Sequence, residues 1–245
     1  HVEQIQETYE KYKKSNGEQL VDEGSAVSVS SVKVLAWYNG ELKIVNASNL
    51  YKEKVQKLYI IKTKRGRILR TTGMHQILSF DNGLNWKKVG LLNKGDLIAS
   101  PKHISMVSEN IYDEDDAYFL GLFVAEGSFN PFSISISDEK IKNWVCDYIA
   151  NKFGYIPTVR EDKRRPNVVY TILLRDKTRN IMDGLDKCNS STKFIPEGIF
   201  LSNEDVILSF LGGYLDGDGE ISESDISMTT KSKKLATQLT YLLMR

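Results

Sequence analysis

Cysteine and long apolar segments are both scarce in this sequence. The 245 residues contain two cysteines, Cys146 and Cys188, which do not form a CxxC pair. We therefore expect unpaired thiols in a reducing compartment rather than a disulfide framework. No apolar run approaches the roughly 18 residues of a membrane-spanning helix, and no signal peptide is recognisable. These absences argue against membrane insertion and secretion and predict a cytoplasmic protein.

A strong charge of either sign is also absent. The chain has 33 Lys and Arg against 32 Asp and Glu, a net charge of +1, so binding to a polyanion must come from local patches. Residues 51–70 hold eight basic side chains against one Glu, and residues 159–179 hold seven against three acidic ones. For each patch, the solvated polar face of a strand or hairpin is the alternative interpretation.

The pattern of apolar residues divides the chain in two. Residues 1–14 have helical spacing, and residues 26–101 contain short alternating runs separated by turn signals such as Asn-Gly, which predict a compact all-β domain. This pattern breaks at residues 102–116, and helical and strand-like segments alternate beyond it, as in an α+β domain. We expect domains at residues 1–104 and 105–245.

A glycine-rich helix stands out in the second half. The segment FLGGYLDGDGEI, residues 210–221, continues a predicted helix whose start could be capped by Ser202. It contains Gly212, Gly213 and Gly217, and its end carries three acids, Asp216, Asp218 and Glu220. Each glycine costs about 0.5–1 kcal/mol relative to alanine inside a helix. A compensating contact is therefore required.

An internal repeat indicates that contact. The segment YFLGLFVAEGSF, residues 118–129, aligns with FLGGYLDGDGEI at a shift of 92 residues. The strand-like SISIS and DISMT align at the same shift, and the helices that follow match at a shift of 94. The aligned pairs in the first segment are Gly121 with Gly213, Ala125 with Gly217, Glu126 with Asp218 and Gly127 with Gly219.

Small residues four positions apart lie on one helix face. If the two helices pack through these faces, their backbones approach closely, and Glu126 meets Asp218. Two carboxylates at the negative ends of two helices repel each other, and a divalent cation relieves that repulsion. Mg²⁺ binds one or two carboxylates together with phosphate oxygens and water, which suits in-line hydrolysis of a phosphodiester.

These segments resemble the nine-residue motif of LAGLIDADG (DOD-type) homing endonucleases, with Phe119 to Gly127 and Leu211 to Gly219 in its positions. The resemblance implies two pseudo-symmetric αββαββα halves whose sheets bind double-stranded DNA. It also implies that Glu126 and Asp218 are the metal-binding catalytic acids. The segment KFIP resembles the family's K-x-I-P stretch, so Lys193 is implied as a third catalytic residue.

The two halves of the endonuclease are expected at residues 113–195 and, in part, at 202–245. On the strand pair expected to face DNA, the candidate contacts are Arg160, Lys163, Arg164, Arg165 and Arg175. The first motif departs from the family, because Val124 replaces an acid and Glu126 is one methylene longer than Asp. The alternative is therefore a degenerate element that no longer cleaves DNA and serves only in protein splicing or DNA binding.

The first half resembles the Hint splicing domain of inteins. TTGMHQILSF places Thr72 and His75 as in an intein T-x-x-H block, and GDLIASP resembles the segment that follows it. The opening of the chain resembles inteins hosted in archaeal RadA-type recombinase genes. The resemblance implies a multi-domain chain: an all-β Hint domain that acts on host extein sequences, followed by an endonuclease that is monomeric when complete. His75 would protonate the leaving nitrogen of the scissile amide, and Thr72 would orient it.

The ends of the chain lack the groups that complete splicing. It starts at His1 without a terminal nucleophile and ends at Arg245 without a His-Asn pair. The 94-residue shift maps Arg245 onto Asn151, after which the first copy continues with two strands and a helix near residues 176–188. We expect a truncated second copy; a naturally split intein or a missing piece of chain is the alternative. The 245 residues alone are expected neither to splice nor to form a complete cleavage site, and turnover of plasmid DNA by them would contradict this.

Overall fold

The computed structural model describes residues 5–38, 40–64, 66–104, 111–164 and 168–245. They divide into two compact units, residues 5–104 and 111–245. Within these ranges, no helix has both the length and the apolar composition needed to cross a bilayer. Each unit is described separately.

In its described residues, the first unit combines one α-helix and one 3₁₀ turn, Val89–Leu91, with ten short strands. The helix α1 spans Ile5–Asn16. The strands are β1 Gln19–Val21, β2 Gly24–Ser28, β3 Lys33–Tyr38, β4 Glu41–Asn46, β5 Asn49–Glu53, β6 Tyr59–Lys62, β7 Ile68–Thr71, β8 Gln76–Phe80, β9 Leu84–Lys88 and β10 Leu97–Ile98. Eight of the strands coincide with predicted alternating runs, whereas β1 and β5 were not predicted.

The strands of the first unit pair into four small antiparallel sheets, with the orders β1-β2-β5, β3-β4, β6-β7 and β10-β8-β9. Its buried cluster contains Tyr9, Val27, Val29 and Leu50, so α1 covers the first of these sheets. The apolar side chains of β3-β4 stay largely exposed; Trp37, for example, retains 37% of its accessible surface. The helix expected within residues 1–14 is present as α1. The strands expected over residues 26–101 are also present, but among the described residues they form four small sheets that do not share one buried core.

The second unit repeats a helix–strand–strand–helix order. Its α-helices are α2 Glu114–Glu126, α3 Glu139–Phe153, α4 Glu197–Leu201, α5 Glu204–Asp218 and α6 Lys233–Leu242. Its strands are β11 Gly127–Phe129, β12 Phe132–Ile136, β13 Thr158–Asp162, β14 Val169–Leu173, β15 Gly219–Ile221 and β16 Ile226–Met228. The unit is a mixed α/β domain. The two repeats correspond to α2-β11-β12-α3 and α5-β15-β16-α6.

The core of the second unit surrounds the pair α2 and α5. Both helices are buried over most of their length, with Phe119, Leu120, Phe210 and Tyr214 fully enclosed. Strands β11 to β14 form one antiparallel sheet in the order β11-β12-β14-β13, and β15 and β16 form a separate hairpin. Ile172 of β14 is fully buried, so one face of the four-stranded sheet packs on the helices and the other is open.

Two local predictions for this unit were wrong. Helix α5 is capped by Asn203, whose side chain accepts a hydrogen bond from the Val206 amide at 3.0 Å. Ser202 instead ends α4, and its hydroxyl donates to the Gly198 carbonyl at 2.7 Å. The helix predicted near residues 176–188 is two 3₁₀ turns, because Gly184 takes the left-handed conformation (φ 81°) between them.

Candidate active site

Helices α2 and α5 pack backbone to backbone through their glycines. A Cβ atom added to Gly121 would overlap the Phe210 carbonyl oxygen and lie 2.8 Å from the Tyr214 amide nitrogen. A Cβ on Gly213 would overlap the Tyr118 carbonyl oxygen and lie 3.0 Å from the Leu122 amide nitrogen. Real Cβ atoms do not approach backbone this closely. The close approach inferred from the repeat is therefore present at both glycines.

The same interface brings the two candidate acids to one place. A Cβ on Gly217 would overlap Ala125 and lie 3.2 Å from Glu126 Cγ, so the stem of Glu126 passes over the helix turn that ends in Asp218. Glu126 is the last residue of α2, and Asp218 is the last residue of α5. In each copy the next residue is a glycine that begins a strand directly.

Lys193 completes the cluster from the loop before α4. Its Nζ donates a hydrogen bond to the Ala125 carbonyl oxygen at 2.7 Å. The ammonium group is half-buried and attracts the carboxylates of both Glu126 and Asp218. The structure therefore brings together the three residues that the motif resemblance singled out, although Lys193 lies 67 positions after Glu126 in the sequence.

The charges of the three side chains perturb one another. Burial raises the pKa of Glu126, and the nearby Asp218 raises it further, whereas Lys193 lowers it. Desolvation likewise raises the pKa of Asp218 against the effect of Lys193. Burial lowers the pKa of Lys193, and the two carboxylates partly oppose that shift. Ionisable groups with perturbed pKa values cluster at functional sites. One ammonium group does not balance the charge of two carboxylates, so the cluster can still attract a cation.

The oxygen donors fit a hard divalent cation. Glu126 and Asp218 could hold Mg²⁺, which needs only one or two carboxylates when phosphate oxygens and water supply the remaining ligands. Across the described residues, no cluster of three or more His, Cys, Asp or Glu side chains suited to a metal is found. The pair therefore suits an ion that shares its coordination with a substrate, and not a closed structural metal site.

Two interactions beside the acids were not anticipated from the sequence. The Tyr118 hydroxyl donates to Asp216 Oδ2 at 2.5 Å and so ties α2 to α5. The Tyr214 hydroxyl donates to the Thr229 carbonyl at 3.0 Å, and burial and the nearby Asp218 raise its pKa to about 12. The repeat gave no signal for the first bond, because the positions matching Tyr118 and Asp216 at the 92-residue shift are Phe and Val.

The open face of the four-stranded sheet carries one of the predicted basic residues. Arg160 of β13 lies opposite Thr171 of β14, and Thr171 lies opposite Ser135 of β12. Thr171 precedes the buried Ile172 along β14, and successive side chains of a strand point to opposite faces of the sheet. The side chains of this row therefore point away from the core. Among the described residues, Arg160 has no carboxylate within ion-pair distance, and its side chain is exposed.

The other predicted basic residues are engaged differently. Lys163 pairs with Glu161 at 2.9 Å, and Arg164 makes a bidentate pair with Asp162 at 2.9 and 3.0 Å. Arg175 lies beyond β14 rather than on the strand pair, and its guanidinium stacks over the Tyr155 ring at 4.9 Å. Arg165 lies outside the described residues.

The two candidate splicing residues lie in the first unit. Thr72 follows β7, and His75 immediately precedes β8. The Gly73 carbonyl accepts from the Gly90 amide and the His75 carbonyl from the Val89 amide, both at 2.8 Å, so the backbone of this block is fixed. The imidazole of His75 is exposed, and Thr72 is half-buried.

Comparison with known proteins gives matches to both parts of the chain. The replication factor C small subunit of Methanocaldococcus jannaschii is 30% identical over 220 residues, which cover 84% of this chain and 11% of that protein. The RNA polymerase subunit Rpo1C of the same organism is 28% identical over 232 residues, covering 77% of this chain and 26% of that protein. The chain thus spans between a tenth and about a quarter of these relatives.

A crystal structure of I-DmoI in complex with DNA and Mn superimposes with a TM-score of 0.39 at 14% identity, covering 53% of this chain and 76% of that chain. The family model described as the LAGLIDADG-like domain matches residues 205–245, which contain most of α5 and all of β15, β16 and α6. This part of the second unit is therefore similar to the LAGLIDADG-like domain.

Proposed function

We propose that this chain belongs to a self-splicing intein whose second unit is a site-specific homing endonuclease that hydrolyses double-stranded DNA with Mg²⁺. The observation that carries the proposal is the meeting of Glu126, Asp218 and Lys193 at the ends of two glycine-packed helices. Two carboxylates and one ammonium in a partly desolvated site are suited to phosphodiester chemistry.

The three side chains would divide the work of hydrolysis. Water adds to phosphorus, one P–O ester bond breaks, and a proton ends on the leaving oxygen. Glu126 and Asp218 would hold a divalent ion, which when bound would stabilise the developing negative charge and make water a better nucleophile. Lys193, whose pKa is lowered by burial, would donate a hydrogen bond to a phosphoryl oxygen or hold the attacking water.

The open sheet face would bind the DNA. The row of Ser135, Thr171 and Arg160 offers hydroxyl and guanidinium donors on an exposed antiparallel sheet, and such groups contact phosphates and base edges in the major groove. Because Arg160 has no acidic partner among the described residues, it is the basic residue best placed to do so. The overall charge of +1 agrees with a local rather than a general affinity for nucleic acid.

The matched relatives support embedding in a host protein. The same chain matches a replication factor subunit and an RNA polymerase subunit, over 84% and 77% of its own length but only 11% and 26% of theirs. A segment shared by proteins with different names is what a transferable insertion produces. We propose that the first unit splices the flanking extein sequences, with His75 protonating the leaving nitrogen and Thr72 orienting the scissile amide.

Cleavage of the uninterrupted insertion site tests the endonuclease. The full-length polypeptide that carries this chain is incubated with Mg²⁺ and a duplex in which the two flanking coding sequences are joined. We expect double-strand cleavage that EDTA abolishes and that Asp218→Asn lowers by at least about a hundredfold, because half of the carboxylate pair is lost. Binding of the duplex by Asp218→Asn is expected to persist.

Asp216→Asn is the matched control. It makes the same Asp-to-Asn change two positions away on α5. The Asp216 side chain accepts a hydrogen bond from the Tyr118 hydroxyl, and an Asn side chain still has an oxygen that can accept it. Cleavage by this variant should remain close to wild type. A wild-type protein that binds the duplex but never cuts it would instead support the degenerate, non-cleaving alternative.

A further inference from the structure

Two buried polar side chains of α6 and its N-cap hold the backbone on both sides of Lys193. The Ser232 hydroxyl donates to the Lys193 carbonyl oxygen at 2.7 Å. The Gln238 side-chain oxygen accepts from the Ile195 amide at 2.9 Å. Ser232 retains 1% and Gln238 4% of their accessible surface. Both bonds therefore form away from water, where losing a partner leaves a buried polar group unsatisfied.

A second hydrogen bond restrains the Ser232 hydroxyl in this position. Its oxygen is also the N-cap of α6 and accepts from the Leu235 amide at 3.2 Å. One hydroxyl thus donates to the loop and accepts from the helix. The Lys193 amide in turn donates to the Asn189 carbonyl at 3.0 Å. Both backbone groups of Lys193 are engaged, so the starting point of its side chain is fixed.

The first copy of the repeat lacks this arrangement. At the 94-residue shift, Ser232 matches Asp138, and Gln238 matches Trp144. Asp138 caps α3 by accepting from Lys140 and Ile141, but an ionised carboxylate cannot donate to a carbonyl. Trp144 stacks on Tyr148 at a ring separation of 5.3 Å. Helix capping alone therefore does not need Ser at this position; the donating hydroxyl is found in the copy that contacts the lysine loop.

We propose that Ser232 and Gln238 are positioning residues that aim the Lys193 ammonium at the Glu126–Asp218 pair. The proposal rests on the phosphodiester hydrolysis proposed above. Lys193 Nζ reaches the Ala125 carbonyl across a flexible four-carbon stem, so its accuracy depends on the loop that carries it. Catalytic groups need their supporting contacts fixed to within about 0.5 Å.

Chemical labelling of Lys193 tests the positioning without requiring DNA cleavage. The full-length polypeptide is acetylated briefly, and the modification of each lysine is measured by mass spectrometry, with the exposed Lys177 as the internal reference. We expect Lys193 to react slowly in the wild type and roughly fivefold faster or more in Ser232→Ala and Gln238→Met, because the loop opens locally. Ser232→Thr keeps the hydroxyl and should restore slow labelling.

Asp138→Ala is the matched control. It removes an N-cap at the corresponding position of the other copy, and it should lower thermal stability without changing Lys193 labelling. If Ser232→Ala and Gln238→Met are folded and label Lys193 at the wild-type rate, the proposal is wrong. Should Ser232→Ala fail to fold, Gln238→Met decides by the same criterion.

Cleavage kinetics provide the second readout. In an active polypeptide, Ser232→Ala and Gln238→Met should lower kcat on the order of ten- to a hundredfold with KM for DNA unchanged, as expected for a displaced catalytic group. Ser232→Thr should recover the rate. Equal rates in all these variants, beside a strong loss in Lys193→Ala, would overturn the proposal. Absence of cleavage in the wild type would contradict the proposed function only, because the labelling experiment still judges the positioning.

Discussion

Substituting the adjacent glycines of α5 tests the helix interface directly. A Cβ on Gly213 would overlap the Tyr118 carbonyl oxygen and lie 2.9 Å from its carbonyl carbon, whereas the nearest atom to a Cβ on Gly212 is Tyr118 Cδ2 at 4.0 Å. The methyl group of an alanine would therefore clash with backbone atoms at position 213 but would make an ordinary van der Waals contact at position 212. The two variants share composition, helix and neighbourhood, so each is the control for the other.

The expected magnitudes have opposite signs. Gly212→Ala gains about 0.5–1 kcal/mol of stability from reduced backbone entropy in the unfolded chain. Gly213→Ala has the same gain, but its methyl group forces α2 and α5 apart by roughly 1 Å against rigid backbone. Overpacking of this kind costs about 1–3 kcal/mol, and the upper end applies here because the obstructing atoms are backbone. After the gain of up to about 1 kcal/mol is subtracted, a net loss of about 2 kcal/mol is expected.

Urea denaturation followed by Trp144 fluorescence measures both effects. Trp144 packs edge-on against Tyr118 with ring centroids 4.5 Å apart and so reports on the second unit. Replacing Trp37 and Trp86 by Phe removes the signal of the first unit. If Gly213→Ala is as stable as Gly212→Ala, the helices do not pack through these glycines, and the meeting of the two acids loses its structural basis.

Three further predictions concern ionisable groups. A hydrogen bond from Lys13 lowers the pKa of Glu18 to about 2, so the stability it confers is present above its unfolded pKa and is lost as the pH falls from about 4.5 towards 2. In thermal melts across that pH window, the Tm of Glu18→Gln should fall less with pH than the Tm of the wild type. Parallel plots of Tm against pH would contradict this. Tyr148→Phe removes a 2.6 Å hydrogen bond to a buried carboxylate of α2 and should cost about 1.5–3 kcal/mol in urea denaturation; a loss below 0.5 kcal/mol, roughly a surface substitution, would refute it. Arg160→Ala should weaken DNA binding and lower its salt slope by about 1, whereas Arg164→Ala, already paired, should do less; equal effects in anisotropy titrations would refute this ordering.

The sequence predicted the helix interface because the signal is local and repeated. Glycines or alanines four positions apart in two aligned segments imply two helices without side chains on one face. The acids that follow, Glu126 and Asp218, must then lie near each other. Composition alone could not distinguish Gly213, which backbone closely surrounds, from Gly212, which has space for a methyl group. That difference depends on the rotation of each helix about its axis.

The remaining parts of the site depend on contacts between distant residues. Ser232 and Gln238 act on a loop 39 and 43 positions away, and neither residue type in a helix indicates such a contact. Counting charges suggested a basic hairpin, but Arg164 pairs with its neighbour Asp162, whereas Arg160 has no acidic partner among the residues that the structure describes. Strand β5 escaped prediction because most of its side chains are exposed, so no alternation of apolar residues marks it.

Binding of Mn²⁺ to the two helix ends tests the central claim most directly, because it needs no knowledge of the DNA site. Mn²⁺ broadens NMR signals of nearby nuclei, and the amides of Gly127 and Gly219 each follow one of the two acids. We predict that small additions of Mn²⁺ broaden both amides together in the wild type, and that Asp218→Asn abolishes the effect at both. Broadening of only one of them, or broadening that survives Asp218→Asn, would show that Glu126 and Asp218 do not share a metal ion.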